Sequence, residues 1–185
     1  GGTSADISLI ENCRPQVSNE RTVEGFPARI PMINIVTIGA GGGSIARIDE
    51  GGALKVGPES AGASPGPACY DRGGEKPTVT DANIALGKLN QRTILGGRMA
   101  VRLDLAHKAL DEHVRARSEL DLAGAANGIV SVVNSNMARA IRSVSVAKGY
   151  DVPEFTLMAF GGAGPLHACA GAGQLGLRAV LTSPP

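Results

Sequence analysis

The sequence predicts an α/β fold, and three observations carry that expectation. The tail reads strand, glycine turn, helix, strand over residues 155–160, 161–164, 165–175 and 179–182, the pattern of a parallel-sheet unit. Ahead of it, residues 118–148 carry apolar side chains at steps of three and four, the spacing of an amphipathic helix. The first half is different in kind, with a glycine-rich β and loop region at 30–77.

In chain order, the opening turn Gly1-Gly2-Thr3-Ser4 leads into a strand at 5–10, and a polar stretch follows at 11–21. Residues 30–38 are rich in Ile and Val and read as a buried strand, despite Pro31. They run into Gly39-Ala40-Gly41-Gly42-Gly43-Ser44. Short apolar runs at 45–48 and 53–56 flank the turn 49–52 and predict a hairpin. Residues 57–77 are irregular, and loops of this length inside a compact domain are usually functional or mobile. Thr80 or Asp81 is placed to cap a short helix through Leu86.

From Asp104, a plausible N-cap, Leu105, Ala109, Leu110 and Val114 share one helical face. Ser118-Glu119-Leu120-Asp121 matches a helix start signal. The helix it opens should run to about Lys148 and stop at Gly149, with Leu122, Ala126, Ile129, Val133, Met137, Ile141 and Val144 as its apolar stripe. Pro165 suits the first position of the last helix, which should end near Gly176. Residues 1–185 are expected as one domain, with a β-hairpin and loop part at 1–100 and helices plus the strand–helix–strand unit at 101–185. The chain lacks an initial Met and ends on Pro184-Pro185. It is therefore expected to be an internal fragment of a longer subunit.

Composition narrows the function. Glycine is 26 of 185 residues, about twice its usual share, which fits many backbone-determined turns. The net charge is +1, and Trp is absent with only two Tyr and three Phe. A nucleic-acid footprint and a base-stacking platform are not expected. No apolar run reaches the length of a membrane span, and nothing at the start reads as a signal peptide. The three cysteines, Cys13, Cys69 and Cys169, have no zinc spacing and no disulfide framework. They are expected to be ordinary buried or half-buried residues of a cytoplasmic protein, and no metal-ligand cluster is expected.

Glycine turns at both ends point to a phosphorylated ligand, because a glycine backbone can approach an anion closely and a helix N-terminus attracts it. The standard motifs are nevertheless absent. Gly162-x-Gly164 is followed by His167 where a dinucleotide fingerprint has glycine. There is no G-x-x-x-x-G-K-[ST] loop.

Five segments in one order resemble a family: Gly1-Gly2-Thr3-Ser4-x-Asp6, IGAGGGSIARID at 38–49, GPESAGASPGPACYDRGG at 57–74, PTVTDANIALG at 77–87 and FGGAGPLHA at 160–168. Together they are similar to the hydantoinase A family of N-methylhydantoinases, 5-oxoprolinases and ketone carboxylase subunits. The resemblance implies part of an actin, sugar-kinase or heat-shock-ATPase-like (ribonuclease H-like) nucleotide-binding fold, using ATP with Mg²⁺. It implies ATP-dependent opening of a cyclic amide, or else the ATP-using step of a ketone carboxylase, together with a second, B-type subunit. A non-catalytic module for subunit assembly is the reading from a different class. The family's upstream phosphate loop, and the acid it carries before the first glycine pair, are not in this sequence, so the fragment alone is expected to turn over no ATP.

The resemblance also implies roles for residues. Gly1, Gly2, Thr3 and Ser4 would bind the ATP phosphates, and Gly161, Gly162, Ala163 and Gly164 would lie against the adenosine. Gly41, Gly42, Gly43 and Ser44 would line the cleft or support it as a bend. Asp6 would orient a Mg²⁺ shell or a nucleophilic water, the catalytic candidate. Each has a plainer reading. Thr3 and Ser4 could satisfy turn backbone, Asp6 could be a turn acid, His167 a packing residue and Asp81 a helix cap.

Overall fold

The computed structural model describes residues 1–19, 21–23 and 25–182. The described residues of 5–38 form a nested antiparallel ribbon. Strand β1 (Ala5–Ser8) leads to β2 (Ile10–Glu11) and β3 (Arg14–Pro15), which pair with each other as a side excursion. Its turn places Asn12 and Cys13 at φ 51° and 60°, the left-handed pair that a two-residue hairpin turn needs. The main ribbon continues through β4 (Val17–Ser18), β5 (Arg21–Val23), β6 (Phe26–Ala28), β7 (Met32–Ile33) and β8 (Ile35–Ile38). Strand β5 pairs with β6, β4 with β7 and β1 with β8, where Ala5 faces Ile38 and Ser8 faces Ile35.

The polar stretch 11–21 holds the short strands β3 and β4, and β4 pairs non-locally, with Val17 facing Ile33 and Ser18 facing Met32. One expectation changes here. The Ile-rich run 30–38 is not one buried strand. It breaks between β7 and β8 and is half-buried at most, with Ile30 and Ile33 59% and 46% exposed. A two-stranded ribbon has no second layer to cover both faces.

The expected hairpin forms from β9 (Ser44–Ile48) and β10 (Leu54–Ser60), with an irregularity between Val56 and Ser60. Helix α1 (Val79–Ala85) is capped by Thr78, not by Thr80 or Asp81. Asp81 instead occupies the third helical position and completes a capping box with Thr78. A small hairpin, β11 (Thr93–Ile94) and β12 (Met99–Ala100), leads to α2 (Leu103–His113). Arg102 stands at the N-cap of α2, and Asp104 lies in its first turn, ion-paired to Arg102 at 2.7 Å.

Helix α3 (Leu122–Val144) starts at Asp121, whose carboxylate accepts from Gly124 N–H at 2.7 Å. Ser118 is one turn too early and donates to the Val114 carbonyl. The helix tightens into a short 3₁₀ turn at Val146–Lys148 and stops at Gly149, at φ 85°. Ala126, Ile129, Val133 and Val144 of the expected stripe are buried, while Leu122, Met137 and Ile141 are half-buried at its edge. The core sits on this face. Val79 and Ala82 of α1, Leu110 of α2, Ala46 and Val56 of the hairpin and the α3 stripe form one cluster. Each fully buried Val or Ile there contributes about 1.5–3 kcal/mol.

Strand β13 (Thr156–Ala159), helix α4 (Gly164–Leu175) and strand β14 (Ala179–Thr182) close the described chain. Thr156 faces Ala179 and Ala159 faces Thr182 in parallel register, as the sequence predicts. Gly176 ends α4 at φ 72°, and Ala138 of α3 packs with Leu175 and Val152. Cys69 is buried, but Cys13 and Cys169 are exposed, against the expectation for all three. Among the described residues no helix is long and apolar enough to cross a membrane.

Candidate functional site

Three glycine segments far apart in sequence meet at one cleft. Gly2, Gly42, Gly43, Gly162 and Ala163 all line a cavity of about 320 Å³, within the size range of small-molecule sites. The junction is built backbone to backbone. Gly42 N–H donates to the Gly1 carbonyl at 3.3 Å, and Gly43 N–H donates to the Gly2 carbonyl at 2.5 Å. Thr80 then ties α1 to the same turn, its N–H and hydroxyl both donating to the Gly42 carbonyl, at 2.8 and 2.9 Å. This explains the glycine at position 41. A Cβ there would stand 2.6 Å from the Gly1 oxygen and 2.7 Å from the Gly2 oxygen, closer than any side chain tolerates.

The candidate residues therefore divide. Gly42 and Gly43 face the cleft. Gly41 and Ser44 lie buried behind it, where Ser44 Oγ accepts from Gly41 N–H at 2.9 Å. Gly2 lines the cleft, while the Thr3 hydroxyl accepts from Ser60 at 3.2 Å. Asp6 lies on β1, accepts from the Thr37 hydroxyl at 2.6 Å across the ribbon and does not line the cleft. In the second turn Gly162 and Ala163 line it, and Gly161 supplies the bend at φ 87°. Among the described residues, the N–H groups of Gly2, Thr3, Gly161, Gly162 and Ala163 donate to nothing. Ala163 also has no side chain to cap α4. Free amides at a helix start are suited to an anion.

The cleft also has an apolar lining that was not anticipated. Pro67, Tyr70, Leu89, Ile94, Leu95 and Leu166 supply it. Only the length of the 57–77 loop hinted at a functional role there, and Pro67 and Tyr70 come from that loop. Burial holds the Tyr70 phenol above its ordinary value, the neighbouring Cys69 adding to the effect, so Tyr70 stays protonated. Among the described residues no carboxylate lines the cleft, and no group of metal-binding side chains occurs.

Two buried residues beside the cleft are not those of an acid–base pair. Asp81 is fully buried and accepts four hydrogen bonds: from Thr78 N–H at 2.8 Å, the Thr78 hydroxyl at 2.7 Å, Cys69 N–H at 2.7 Å and Ala68 N–H at 3.2 Å. It clamps the end of the long loop onto α1. Burial first, and then the Asp81 charge, push the Cys69 thiol far above its ordinary value, so it is no nucleophile.

His167 follows Leu166 on α4 and is 3% exposed. Its Nδ1 lies 2.8 Å from Asn134 Oδ1 on α3. That oxygen only accepts, so Nδ1 carries the proton, and Nε2 is left as a buried acceptor without a partner. Burial first, then the charge of Lys88, lower the His167 pKa below its ordinary 6.5. The neutral ring is thus the folded form, and the unfolded chain binds the extra proton. Stability from this group is present above pH 6.5 and is lost as the pH falls below it. The melting temperature is expected to drop more steeply between about pH 7 and pH 5 than in His167→Gln. Equal slopes in the two proteins would remove His167 from the pH response.

A larger groove of about 420 Å³ lies between the ribbon, the β9–β10 hairpin and α3, with Val36, Ile38, Pro58 and Arg139 on its walls. It contains neither terminal glycine turn, and the smaller cleft is the better candidate.

The sequence profile described as hydantoinase/oxoprolinase matches residues 1–185 from end to end. The chain belongs to the hydantoinase/oxoprolinase family. It is 43% identical over 181 residues to the caprolactamase subunit alpha of Pseudomonas jessenii, covering 98% of this chain and 26% of that one. It is 40% identical over 187 residues to the acetophenone carboxylase gamma subunit of Aromatoleum aromaticum, covering 100% of this chain and 26% of that one. It is 38% identical to 5-oxoprolinase 1 of Arabidopsis thaliana, over 98% of this chain and 15% of that one. The crystal structure of the ATP-dependent caprolactamase from Pseudomonas jessenii superposes with a TM-score of 0.90 at 43% identity, over 98% of this chain and 26% of that one. Nucleotide-free acetone carboxylase superposes with a TM-score of 0.88 at 31% identity, over 97% of this chain and 26% of that one. The chain thus spans about a quarter or less of the relatives it matches. Its α/β architecture is consistent with an actin-like ATPase fold.

Proposed function

We propose that this chain forms one wall of an ATP site in an enzyme that opens a cyclic amide. The observation that supports this reading is the convergence of three glycine segments on one cleft, with unpaired N–H groups on two of them. Gly1, Gly2, Thr3 and Ser4 would face the phosphates, and Gly161–Gly164 the nucleoside. Phosphoryl transfer depends on positioning and charge neutralisation rather than on protein nucleophiles, and a site of backbone donors without a reactive side chain suits that chemistry. ATP supplies a phosphoryl group that turns an amide carbonyl oxygen into a leaving group. Mg²⁺ finds no carboxylate among the described residues of this cleft; phosphate oxygens and water would have to hold it here. A second subunit is part of the reading, because relatives of this chain are named as an alpha and a gamma subunit.

The test is ADP release by the full enzyme with its partner subunit, offered 5-oxoproline, hydantoin or caprolactam. The expected result is ADP formed together with ring-opened product. ADP formation that requires a ketone and bicarbonate would assign carboxylation instead. Absence of nucleotide binding would leave a structural module.

A further inference from the structure

We propose that Leu95 is a clamp: the tip of the β11–β12 hairpin closes its side chain over the base of a nucleotide held in the cleft. The proposal rests on the ATP reading above and adds the residue that grips the nucleoside end.

The cleft combines two kinds of lining. Gly2, Gly42 and Gly43 present backbone to it, and Tyr70, Leu89, Ile94 and Leu95 present apolar side chains. A ligand matched to both has an anionic end and a flat apolar end. Asn83, which also lines the cleft, adds a third feature. Its Nδ2 donates to the Val79 carbonyl at 2.9 Å, which fixes the amide orientation and leaves Oδ1 buried with no partner. A nucleobase edge carries N–H donors suited to such an acceptor; an aliphatic ligand carries none.

Leu95 combines two properties that are unfavourable for a leucine. Its backbone sits at φ 55°, a left-handed conformation that is unfavourable for a leucine and that glycine or asparagine adopts readily. Its side chain is 66% exposed although it lines the cleft, so most of its apolar surface stays in water. Gly96 and Gly97 follow at φ 64° and 87°, so the tip is a run of three left-handed residues. Two-residue strands hold it, closed by Gly97 N–H to the Ile94 carbonyl at 3.2 Å and Arg98 N–H to the Leu95 carbonyl at 3.4 Å. Strained, exposed residues of this kind collect where a ligand completes the packing. Covering a base would bury the Leu95 side chain, and the short hairpin arms would let the tip move inward.

The test compares Leu95→Gly and Leu95→Ala in the full enzyme, reading ATP binding, inorganic triphosphate binding and melting temperature. Leu95→Gly is expected to melt at or above the parent, because strain is relieved, yet to bind ATP about tenfold more weakly. Leu95→Ala keeps the strain and loses the contact, so it should lose ATP affinity similarly without the gain in melting temperature. Triphosphate binding should be unchanged in both. Parental ATP affinity in both variants, or an equal loss of ATP and triphosphate binding, would overturn the clamp and leave the ATP site standing. Failure of the parent enzyme to bind either probe would overturn the ATP reading and the clamp with it.

Discussion

Asp81→Ala is expected to destabilise the protein by about 4 kcal/mol or more, because it leaves several buried donors without an acceptor at once. The fully buried carboxylate takes hydrogen bonds from Ala68, Cys69 and Thr78 N–H and from the Thr78 hydroxyl. Alanine removes all four acceptor contacts and admits no water in their place. The damage should spread to the cleft, since the loop end that Asp81 anchors carries Pro67 and Tyr70 of the apolar lining. Asp81→Asn keeps the shape and part of the network. Its amide N–H₂ must face either the Cys69 N–H or the donors shared by the other oxygen, so a loss of about 2 kcal/mol is expected. Urea unfolding followed by circular dichroism measures both. A loss below about 1 kcal/mol for Asp81→Ala would show that the 68–70 turn is held by other contacts.

Gly162→Val is expected to abolish most ATP binding while leaving the fold almost untouched. The structure makes this a cleaner probe than the sequence alone could. The positive φ of the turn belongs to Gly161, at 87°, and Gly162 has none. A Cβ at 162 would meet no atom within 4 Å. The Cβ of a valine there is thus free of the protein, so a loss without a change in melting would come from what enters the cleft. The expected values are a change in stability within about 0.5 kcal/mol and a fall in ATP affinity of at least about tenfold, or 1.4 kcal/mol. Parental ATP affinity in a normally melting variant would remove residue 162 from the site. A large drop in melting temperature would instead mean that the turn is structural.

These two residues also mark where the sequence was legible. The strand–helix–strand tail, the α3 stripe, the β9–β10 hairpin and the stop at Gly149 were readable because each is set by neighbours within a few residues: apolar period, cap and glycine. The caps were readable only to within a turn. Asp81, Asp104 and Ser118 all carry capping chemistry, but Thr78, Arg102 and Asp121 hold the positions, and capping residue types alone fix a helix start only to within a turn. The ribbon at 5–38 was partly missed because its pairs are non-local and two-residue strands carry no periodicity.

The sequence by itself determined that the chain is α/β, that its glycine segments fall at strand and helix ends, and that its motifs place it among the hydantoinases and oxoprolinases. Those are local properties, written in residue type and spacing. The tertiary structure alone decided that Gly2, Gly42–Gly43 and Gly162–Ala163 share one cleft, that Gly41 is the point where two backbones touch, and that Leu95 lines the same cleft. No spacing rule connects residues 2, 42, 95 and 162. The burial of α1 and α3 against the β9–β10 hairpin, of α4 against α3, and of Ile94 against Cys69 and Ile84 brings them to one cleft.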